Sequence, residues 1–162
     1  LIVAQKLTTT AAQLSKALAV KEAMSIEYKI NAPITADQFI DLLARSTLGE
    51  RRPIHDRQCM EGMIANSNLT VSAWEQDALI GMARSMTDFH YACYLSDLAV
   101  CQSRQKSGIG KQLQTITQNQ LGPRCKLILI AAPAANTYYE QIGFKNNPRC
   151  WVLDRDVGIS SS

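Results

Sequence analysis

The sequence predicts an α/β fold of the α+β kind, in which a mixed, mostly antiparallel central sheet of about six to seven strands is flanked by about four helices. Three observations predict it. Two short alternating segments, 69–74 and 79–85, lie on either side of a turn at Gln76-Asp77, as in an antiparallel hairpin. The apolar residues of 109–116 recur with helical spacing. The apolar run 126–132 is typical of a strand buried on both faces.

The other elements follow from local signals along the chain. Residues 26–30 alternate as a first strand. Thr35 and Gln38 have the spacing of a capping box, which predicts the start of a helix. Gly49 and Pro53 interrupt the chain before a second helix. The remaining predicted elements are that second helix at 55–66, a strand at 91–100, a helix at 108–121, a short helix at 134–142 that ends at Gly143, and a last strand at 150–153.

The chain has the size and composition of a single globular domain, which we place at residues 24–162. Its 162 residues are 46% hydrophobic, and the net charge of +3 is too small to indicate a nucleic-acid partner. The five cysteines show no CxxC spacing, so we expect neither a bound metal nor a disulfide framework. No apolar run approaches the roughly 20 residues of a transmembrane helix, and we expect a cytoplasmic protein without a membrane partner.

Residues 1–23 differ from the rest of the sequence. They contain three consecutive threonines at 8–10 and an alanine-rich segment without glycine or proline, whereas strand-like alternation begins after Met24. Two interpretations are open: an extension ahead of a natural start at Met24, or an accessory helix that packs on the domain or on a partner. The segment lacks the apolar core of a secretory signal.

Three motifs follow one another in the second half of the chain. The first is Leu98-Ala99-Val100 at the end of a predicted strand, and the second is the turn Gln105-Lys106-Ser107-Gly108-Ile109-Gly110 before a helix. The third is Ala135-Asn-Thr-Tyr-Tyr-Glu-Gln-Ile-Gly-Phe144. A glycine-bearing turn between a strand and a helix can hold a pyrophosphate, because its backbone N–H groups approach the anion and the helix N-terminus adds partial positive charge.

In this order and at this spacing, the motifs resemble those of the GCN5-related N-acetyltransferase (GNAT) superfamily, and the resemblance covers roughly residues 24–154. There are two departures: Ala132 lies where the family often has asparagine, and Lys106-Ser107 replaces the favoured Arg-Gly. Neither change removes a backbone donor. The resemblance implies an enzyme that transfers an acetyl group directly from acetyl-CoA to a primary amine on a small molecule or a peptide. Homodimers are common in the family, which implies the same for this chain.

The resemblance assigns the cofactor contacts mainly to the main chain. Amides of the turn would surround the diphosphate, and the preceding strand would pair with pantetheine as if with a further strand. The residues implied to bind the cofactor are Leu98, Ala99, Val100, Gln105, Lys106, Ser107, Gly108, Ile109, Gly110, Lys111, Asn136 and Tyr139. For catalysis, the resemblance gives the Leu98 amide an oxyanion-hole role and makes the Tyr139 phenol the general acid that protonates the leaving thiolate.

The general base is less clearly marked in the sequence. His90 lies just before the strand that ends at Val100, and an imidazole can accept a proton near neutral pH. Asp97 is the only carboxylate in that strand, but alternation puts it on the face opposite Tyr94 and Ser96 unless a bulge resets the parity. A chain of water molecules is the alternative to either side chain.

Acceptor recognition would fall to the first two helices and the charged segment between them. Arg51 or Arg52 pairs with an acidic acceptor in one interpretation, and both are solvated in the other. Two further functions are open: a CoA-binding regulatory module without turnover, and an acetyltransferase that acts on a macromolecular amine. A P-loop nucleotide-binding protein is excluded, because Gly108-Ile109-Gly110-Lys111 lacks the spacing and the hydroxyl of that motif.

Overall fold

The structure, a computed structural model, describes residue 13 and residues 25–159. The expectations for residues 1–23, and for a natural start at Met24, therefore lie outside the described residues, apart from residue 13. The chain divides into two compact units, of which the first ends at Leu129 and the second begins at Ile130. None of the described helices has the length and apolar character needed to span a membrane.

The first unit is built on a five-stranded sheet whose strands neighbour one another in chain order. The strands are β1 Ile26–Ile30, β2 Leu69–Glu75, β3 Ala78–Thr87, β4 Ala92–Val100 and β5 Lys126–Ile128. The pairs from β1 to β4 are antiparallel, and β4 pairs with β5 in parallel. The predicted mixed, mostly antiparallel sheet is confirmed, with five strands among the described residues instead of the expected six to seven.

The helices begin where the sequence provides caps. They are α1 Ala36–Ala44, α2 Arg57–Ala65, α3 Ile109–Asn119 and, in the second unit, α4 Asn136–Gln141. The predicted capping box is formed at α1: the Gln38 amide donates to Thr35 Oγ1 at 3.2 Å, and the Thr35 amide donates to Gln38 Oε1 at 2.9 Å. At α2, the Cys59 amide donates to the Asp56 carboxylate at 3.0 Å. Each cap satisfies N–H groups that a helix start leaves without acceptors.

The sheet separates two apolar clusters because successive strand residues point to opposite faces. Met82 packs in a cluster with α1 and α2, which contribute Phe39 and Met60 among others. The next residue, Ala83, packs in a second cluster with Leu113 of α3. Helix α3 lies so close to β3 that a Cβ added at Gly81 would come within 3.1 Å of an Ile109 methyl group and 3.2 Å of a Leu113 methyl group. This contact fixes the start of α3 against the sheet.

Two sequence expectations about strands differ from the structure. The run 126–132 forms a strand only at Lys126–Ile128, and Ile128 and Ile130 are exposed, so this strand is not buried on both faces. The reason is that β5 is an edge strand with a single described neighbour, β4, which it pairs over three residues. The segment 150–153 forms no strand and pairs with no described strand, which leaves Trp151 92% exposed.

Candidate functional site

The connection between β4 and α3 has the backbone of an anion-binding turn. Lys106 and Gly108 have positive φ values of 60° and 87°, and Gly108 forms the N-cap of α3. The first backbone hydrogen bond of the helix runs from the Gln112 amide to the Gly108 carbonyl at 3.0 Å. The earlier N–H groups of a helix have no intrahelical acceptor, and a glycine cap has no side chain that could accept from them. They point out of the helix with its partial positive charge behind them.

The turn combines this exposed backbone with a rigid support. Residues 105–108 are exposed, whereas Ile109 is buried against the sheet. The Ser107 hydroxyl donates to the Arg104 carbonyl at 2.5 Å, which braces the bend from inside. Lys106 and Lys111 are exposed and add positive charge beside the N–H groups. An anion with several oxygens fits this arrangement, since it can accept from several N–H groups at once.

Strand β4 contains a bulge at Ser96. Asp97 is opposite Arg84 of β3, but the next aligned pair is Leu95 with Ser85, so Ser96 is an extra residue on β4. Ser96 and Asp97 both accept hydrogen bonds from arginine side chains. Every residue after a bulge directs its side chain and its backbone N–H opposite to the directions they would have in an unbroken strand.

The bulge turns the Leu98 amide toward the open edge of β4. The Cys101 amide donates to the Ile80 carbonyl on β3 at 2.9 Å. Successive N–H groups of a strand point to opposite sides, so the N–H groups of Leu98 and Val100 point away from β3. Pairing between β4 and β5 ends at Tyr94, and in the described part of the chain no strand pairs with that edge of β4 beyond it. The Val100 carbonyl accepts from Gln105 Nε2 at 3.1 Å.

Asp97 lies in a buried ion cluster. The bulge that could reset its parity is present, and Asp97 shares a face with Arg84. However, Asp97 is 1% exposed, and its carboxylate accepts from Arg52 Nε and from Arg84 Nε, each at 2.5 Å. Both oxygens are held by guanidinium groups, so this geometry does not support Asp97 as the general base. Arg52 is accordingly an ion-pair partner and not a solvated residue, while Arg51 is exposed.

His90 and its neighbour Asp88 lie in the loop between β3 and β4. The Asp88 carboxylate accepts from the amides of His90, Tyr91 and Ala92 at 2.9, 2.7 and 3.0 Å. These three hydrogen bonds, that of Tyr91 first, lower the pKa of Asp88 to about 2. His90 precedes β4, and the six-residue advance from Ala92 to Leu98 spans about 20 Å of strand. The strand length therefore argues against His90 as a base for chemistry at the Leu98 amide.

Tyr139 belongs to the second unit, in α4. Gly143 has a φ of 98°, its amide donates to the Glu140 carbonyl at 3.1 Å, and the Phe144 amide donates to the Tyr139 carbonyl at 3.0 Å. These bonds form a Schellman motif, as expected from a glycine that follows the helix. The rings of Tyr139 and Phe144 are 5.4 Å apart, and burial raises the pKa of the Tyr139 phenol. Asn136 is the first residue of α4 and is exposed.

Arg84 is a buried charged residue that was not predicted from the sequence. This arginine is 4% exposed within a strand that is otherwise apolar at its centre. A signal for it was available, because a charged residue in a buried strand needs a counter-charge and Asp97 is the carboxylate of the next strand. No group of three or more His, Cys, Asp or Glu side chains within residues 25–159 is arranged to hold a metal ion.

The sequence matches the family model of the acetyltransferase (GNAT) domain over residues 45–149. A protein of meticillin-resistant Staphylococcus aureus has the same fold, with a TM-score of 0.65 and 23% identity over 80% of this chain and 98% of that one. A GNAT-family acetyltransferase of Streptococcus pneumoniae gives a TM-score of 0.62 and 19% identity over 80% of this chain and 98% of its own. An aminoglycoside N-acetyltransferase in complex with coenzyme A gives a TM-score of 0.60 and 16% identity over 82% of this chain and 96% of its own.

None of the curated protein sequences matches the chain. These three solved structures are below 25% identity, so they establish the fold, and the family follows from the domain match, which spans more than half of the residues. The free N–H groups at the start of α3 and the open edge of β4 occur within that match. The chain belongs to the GNAT family of N-acetyltransferases.

Proposed function

We propose that this protein takes an acetyl group from acetyl-CoA and transfers it directly to a primary amine. One observation carries the proposal: the free N–H groups at the start of α3 and the open β4 edge at Leu98 belong to the same unit, joined by a short connection. The first suits a diphosphate and the second suits an extended amide chain. Coenzyme A contains both groups, because its diphosphate is joined to the pantetheine arm, which is an extended chain with amide groups and ends in the thiol.

The main chain from Lys106 to Lys111 would bind the diphosphate of the coenzyme. Its N–H groups are available at the N-terminus of α3, and Gly108 presents no Cβ to an approaching phosphate. The side chains of Lys106 and Lys111 are exposed and would contribute charge without a fixed geometry. Binding is therefore expected to depend more on the backbone of the turn than on either lysine.

The open edge of β4 would bind the pantetheine arm and the thioester. The Leu98 N–H points away from β3, so it can donate to the thioester oxygen, whose negative charge grows when the amine attacks. Val100 offers a second N–H on the same edge. Its carbonyl already accepts from Gln105, so the arm would compete with that side chain for it.

The Tyr139 phenol would protonate the departing thiolate of coenzyme A. Burial raises the pKa of Tyr139, so the hydroxyl keeps its proton throughout the neutral range and has one to give. The acceptor amine must lose a proton, and neither Asp97 nor His90 is arranged to take it. We therefore assign that proton to water. Asn136 would add a contact to the coenzyme from the first turn of α4.

Thiol release from acetyl-CoA across a panel of amines, read together with the mass of each amine, tests the proposal. A gain of one acetyl group on an amine, with one thiol released for each, is the expected result. Peptides with a free N-terminus belong in the panel, since a macromolecular amine is the second candidate acceptor. Binding of acetyl-CoA without thiol release would instead indicate a regulatory module, and no binding by calorimetry would overturn the proposal.

Replacement of Tyr139 by phenylalanine tests the general acid. Tyr139→Phe removes only the hydroxyl, so we expect kcat to fall about a hundredfold, at the lower end of the range for general acids. The Kd of acetyl-CoA should stay nearly unchanged. Tyr138→Phe, the same change at the neighbouring residue, serves as the control. An unaltered kcat in Tyr139→Phe would remove this residue from the mechanism.

A further inference from the structure

We propose that Arg52 and Arg84 are positioning residues, which hold the Ser96 bulge of β4 and so aim the Leu98 amide at the thioester. The inference rests on the proposed function, since it concerns the oxyanion-hole donor of that reaction. It assigns a role to the buried Arg52–Asp97–Arg84 cluster, in which two guanidinium groups share one carboxylate.

The two arginines bind both residues at the bulge. Arg52 donates through Nη2 to the Ser96 carbonyl at 2.8 Å and through Nε to Asp97 at 2.5 Å. Arg84 donates through Nη2 to the Ser96 hydroxyl at 2.9 Å and through Nε to the other Asp97 oxygen at 2.5 Å. Four hydrogen bonds thus converge on two consecutive residues, directly before Leu98. The carbonyl and the hydroxyl of the extra residue both bind arginine side chains.

The arginines themselves are fixed by other parts of the fold. Arg84 Nη1 donates to the Met63 carbonyl at 3.1 Å and to Ser67 Oγ at 2.8 Å, at the end of α2. Arg52 Nη1 donates to the Arg51 carbonyl at 2.9 Å in the connection between α1 and α2. The cluster therefore ties the α1–α2 connection and the end of α2 to one point on β4.

The bulge at Ser96 determines the direction in which the backbone N–H of Leu98 points. Before the bulge, the Lys126 amide donates to the Tyr91 carbonyl. Because backbone groups alternate along a strand, the N–H and C=O groups of Tyr91, Cys93 and Leu95 point toward β5. An unbroken strand would continue that order and turn the Leu98 N–H toward β3. The extra residue at Ser96 shifts this alternation by one residue, so the Leu98 N–H points toward the open edge of β4. Loss of the bulge would remove the oxyanion donor without touching the diphosphate site.

A stabilising role alone explains the cluster poorly. Two guanidinium groups against one carboxylate carry a net charge, and the cost of desolvating a buried ion pair is often as large as the energy gained by the pairing. Arg52 is only partly covered, with 24% of its side chain exposed, and it contributes two of the four bonds to the bulge. Its removal leaves Arg84 and Asp97 as a matched buried pair. This makes Arg52 the residue at which positioning can be separated from folding.

The test compares Arg52→Gln with Arg57→Gln, each purified as the full chain. Arg57 also forms two carboxylate ion pairs, with Asp37 and Glu61, but it lies on the surface of α2 and does not touch β4. We expect Arg52→Gln to lower kcat about tenfold to a hundredfold, approaching the loss of an oxyanion-hole donor, while calorimetry gives a nearly unchanged Kd for coenzyme A. Arg57→Gln should leave kcat unaltered. Arg52→Lys keeps the positive charge but not the planar guanidinium that donates to two acceptors at once, so it should show only part of the loss in kcat.

A spectroscopic measurement isolates the amide itself. In ¹⁵N-labelled protein, addition of acetyl-CoA should shift the Leu98 amide resonance in the wild type and clearly less in Arg52→Gln. The Gly108 resonance should respond equally in both. If Arg52→Gln does not fold, Ser96→Ala replaces it: this variant loses only the hydroxyl bond to Arg84, and we expect a smaller fall in kcat with the same pattern of shifts.

Each outcome decides between the two proposals. An active wild type with an unaltered kcat in Arg52→Gln and Ser96→Ala overturns the positioning role and leaves the proposed function standing. A loss of coenzyme affinity that parallels the loss of kcat, or an equal loss in Arg57→Gln, also overturns it, since either result indicates a general structural effect. A wild type that neither binds coenzyme A nor acetylates any amine overturns both.

Discussion

Gly108 is the residue on which the proposed diphosphate site depends most directly. Its φ of 87° lies in the left-handed region, where a Cβ is strained by about 1–2 kcal/mol, although no protein atom lies within 4 Å of the place a Cβ would occupy. Gly108→Ala should therefore fold with a modest loss of stability. A Cβ at the turn would nevertheless project where the phosphates must approach, and we expect the Kd of acetyl-CoA to rise at least about tenfold, or roughly 1.4 kcal/mol.

Gly143→Ala provides a matched control for this prediction. Gly143 has a φ of 98° and likewise no neighbour within 4 Å of an added Cβ, but it closes α4 in the second unit. Both variants should lose similar amounts of stability by thermal unfolding, because the backbone strain is the same. Only Gly108→Ala should lose affinity by calorimetry. Equal affinities in the two variants would mean that the turn does not hold the diphosphate.

Asp88 makes the stability of the β3–β4 loop depend on pH. Its pKa in the folded protein is about 2, against an ordinary 3.8, because three backbone amides donate to the ionised carboxylate. A lowered pKa means that the stabilisation is complete above the unfolded value and is lost as the pH falls from about 4 toward 2. We expect Asp88→Asn to show a shallower loss of urea midpoint over this range than the wild type. Asp77→Asn, in the exposed turn between β2 and β3, controls for the loss of one surface charge.

At the scale of elements, the start of α1 depends on its capping box. Thr35→Ala removes the acceptor of the Gln38 amide and is expected to lower the free energy of unfolding by about 1 kcal/mol, measured by urea denaturation. Thr115→Ala is the control, since its hydroxyl binds the Lys111 carbonyl within α3 and caps no helix. A loss in Thr115→Ala as large as in Thr35→Ala would contradict the assignment of the effect to capping.

Helix ends that are determined by nearby residues were predictable from the sequence, whereas the bulge in β4 was not. The capping residues Thr35 and Gln38 and the C′ glycine Gly143 each act within a few residues, so the start of α1 and the end of α4 were predictable from the sequence. The bulge at Ser96 is bound by Arg52 and Arg84, which lie 44 and 12 residues away in the sequence. The alternation of β4 marks a bulge as the condition for the orientation of the Asp97 side chain, but no local signal identifies the arginines that bind the bulge.

At the scale of the whole molecule, the neighbouring strands in the sheet determine whether a strand is buried or lies at an edge, which the local sequence pattern does not. The apolar run 126–132 has the composition of a central strand, yet β5 lies at the edge of the sheet and ends at Ile128. The choice between a buried and an edge strand depends on whether a further strand pairs with it, and that information is not in the run itself. Similarly, His90 is close to β4 in sequence, but the length of the strand separates it from Leu98.

The two apolar clusters share the same sheet, so we expect the first unit to unfold cooperatively. Leu42 of α1 and Leu113 of α3 are fully buried on opposite faces, and truncation of either to alanine should cost about 2–5 kcal/mol. With Trp151 replaced by phenylalanine, the fluorescence of the buried Trp74, which packs in the cluster of Leu42, should follow the same urea transition as the far-UV circular dichroism in both variants. A Leu113→Ala variant whose tryptophan transition stays at the wild-type midpoint while the circular dichroism shifts would show that the two faces unfold separately. Coupling through β3 argues for the shared transition, because Met82 and Ala83 are consecutive residues that belong to the two clusters.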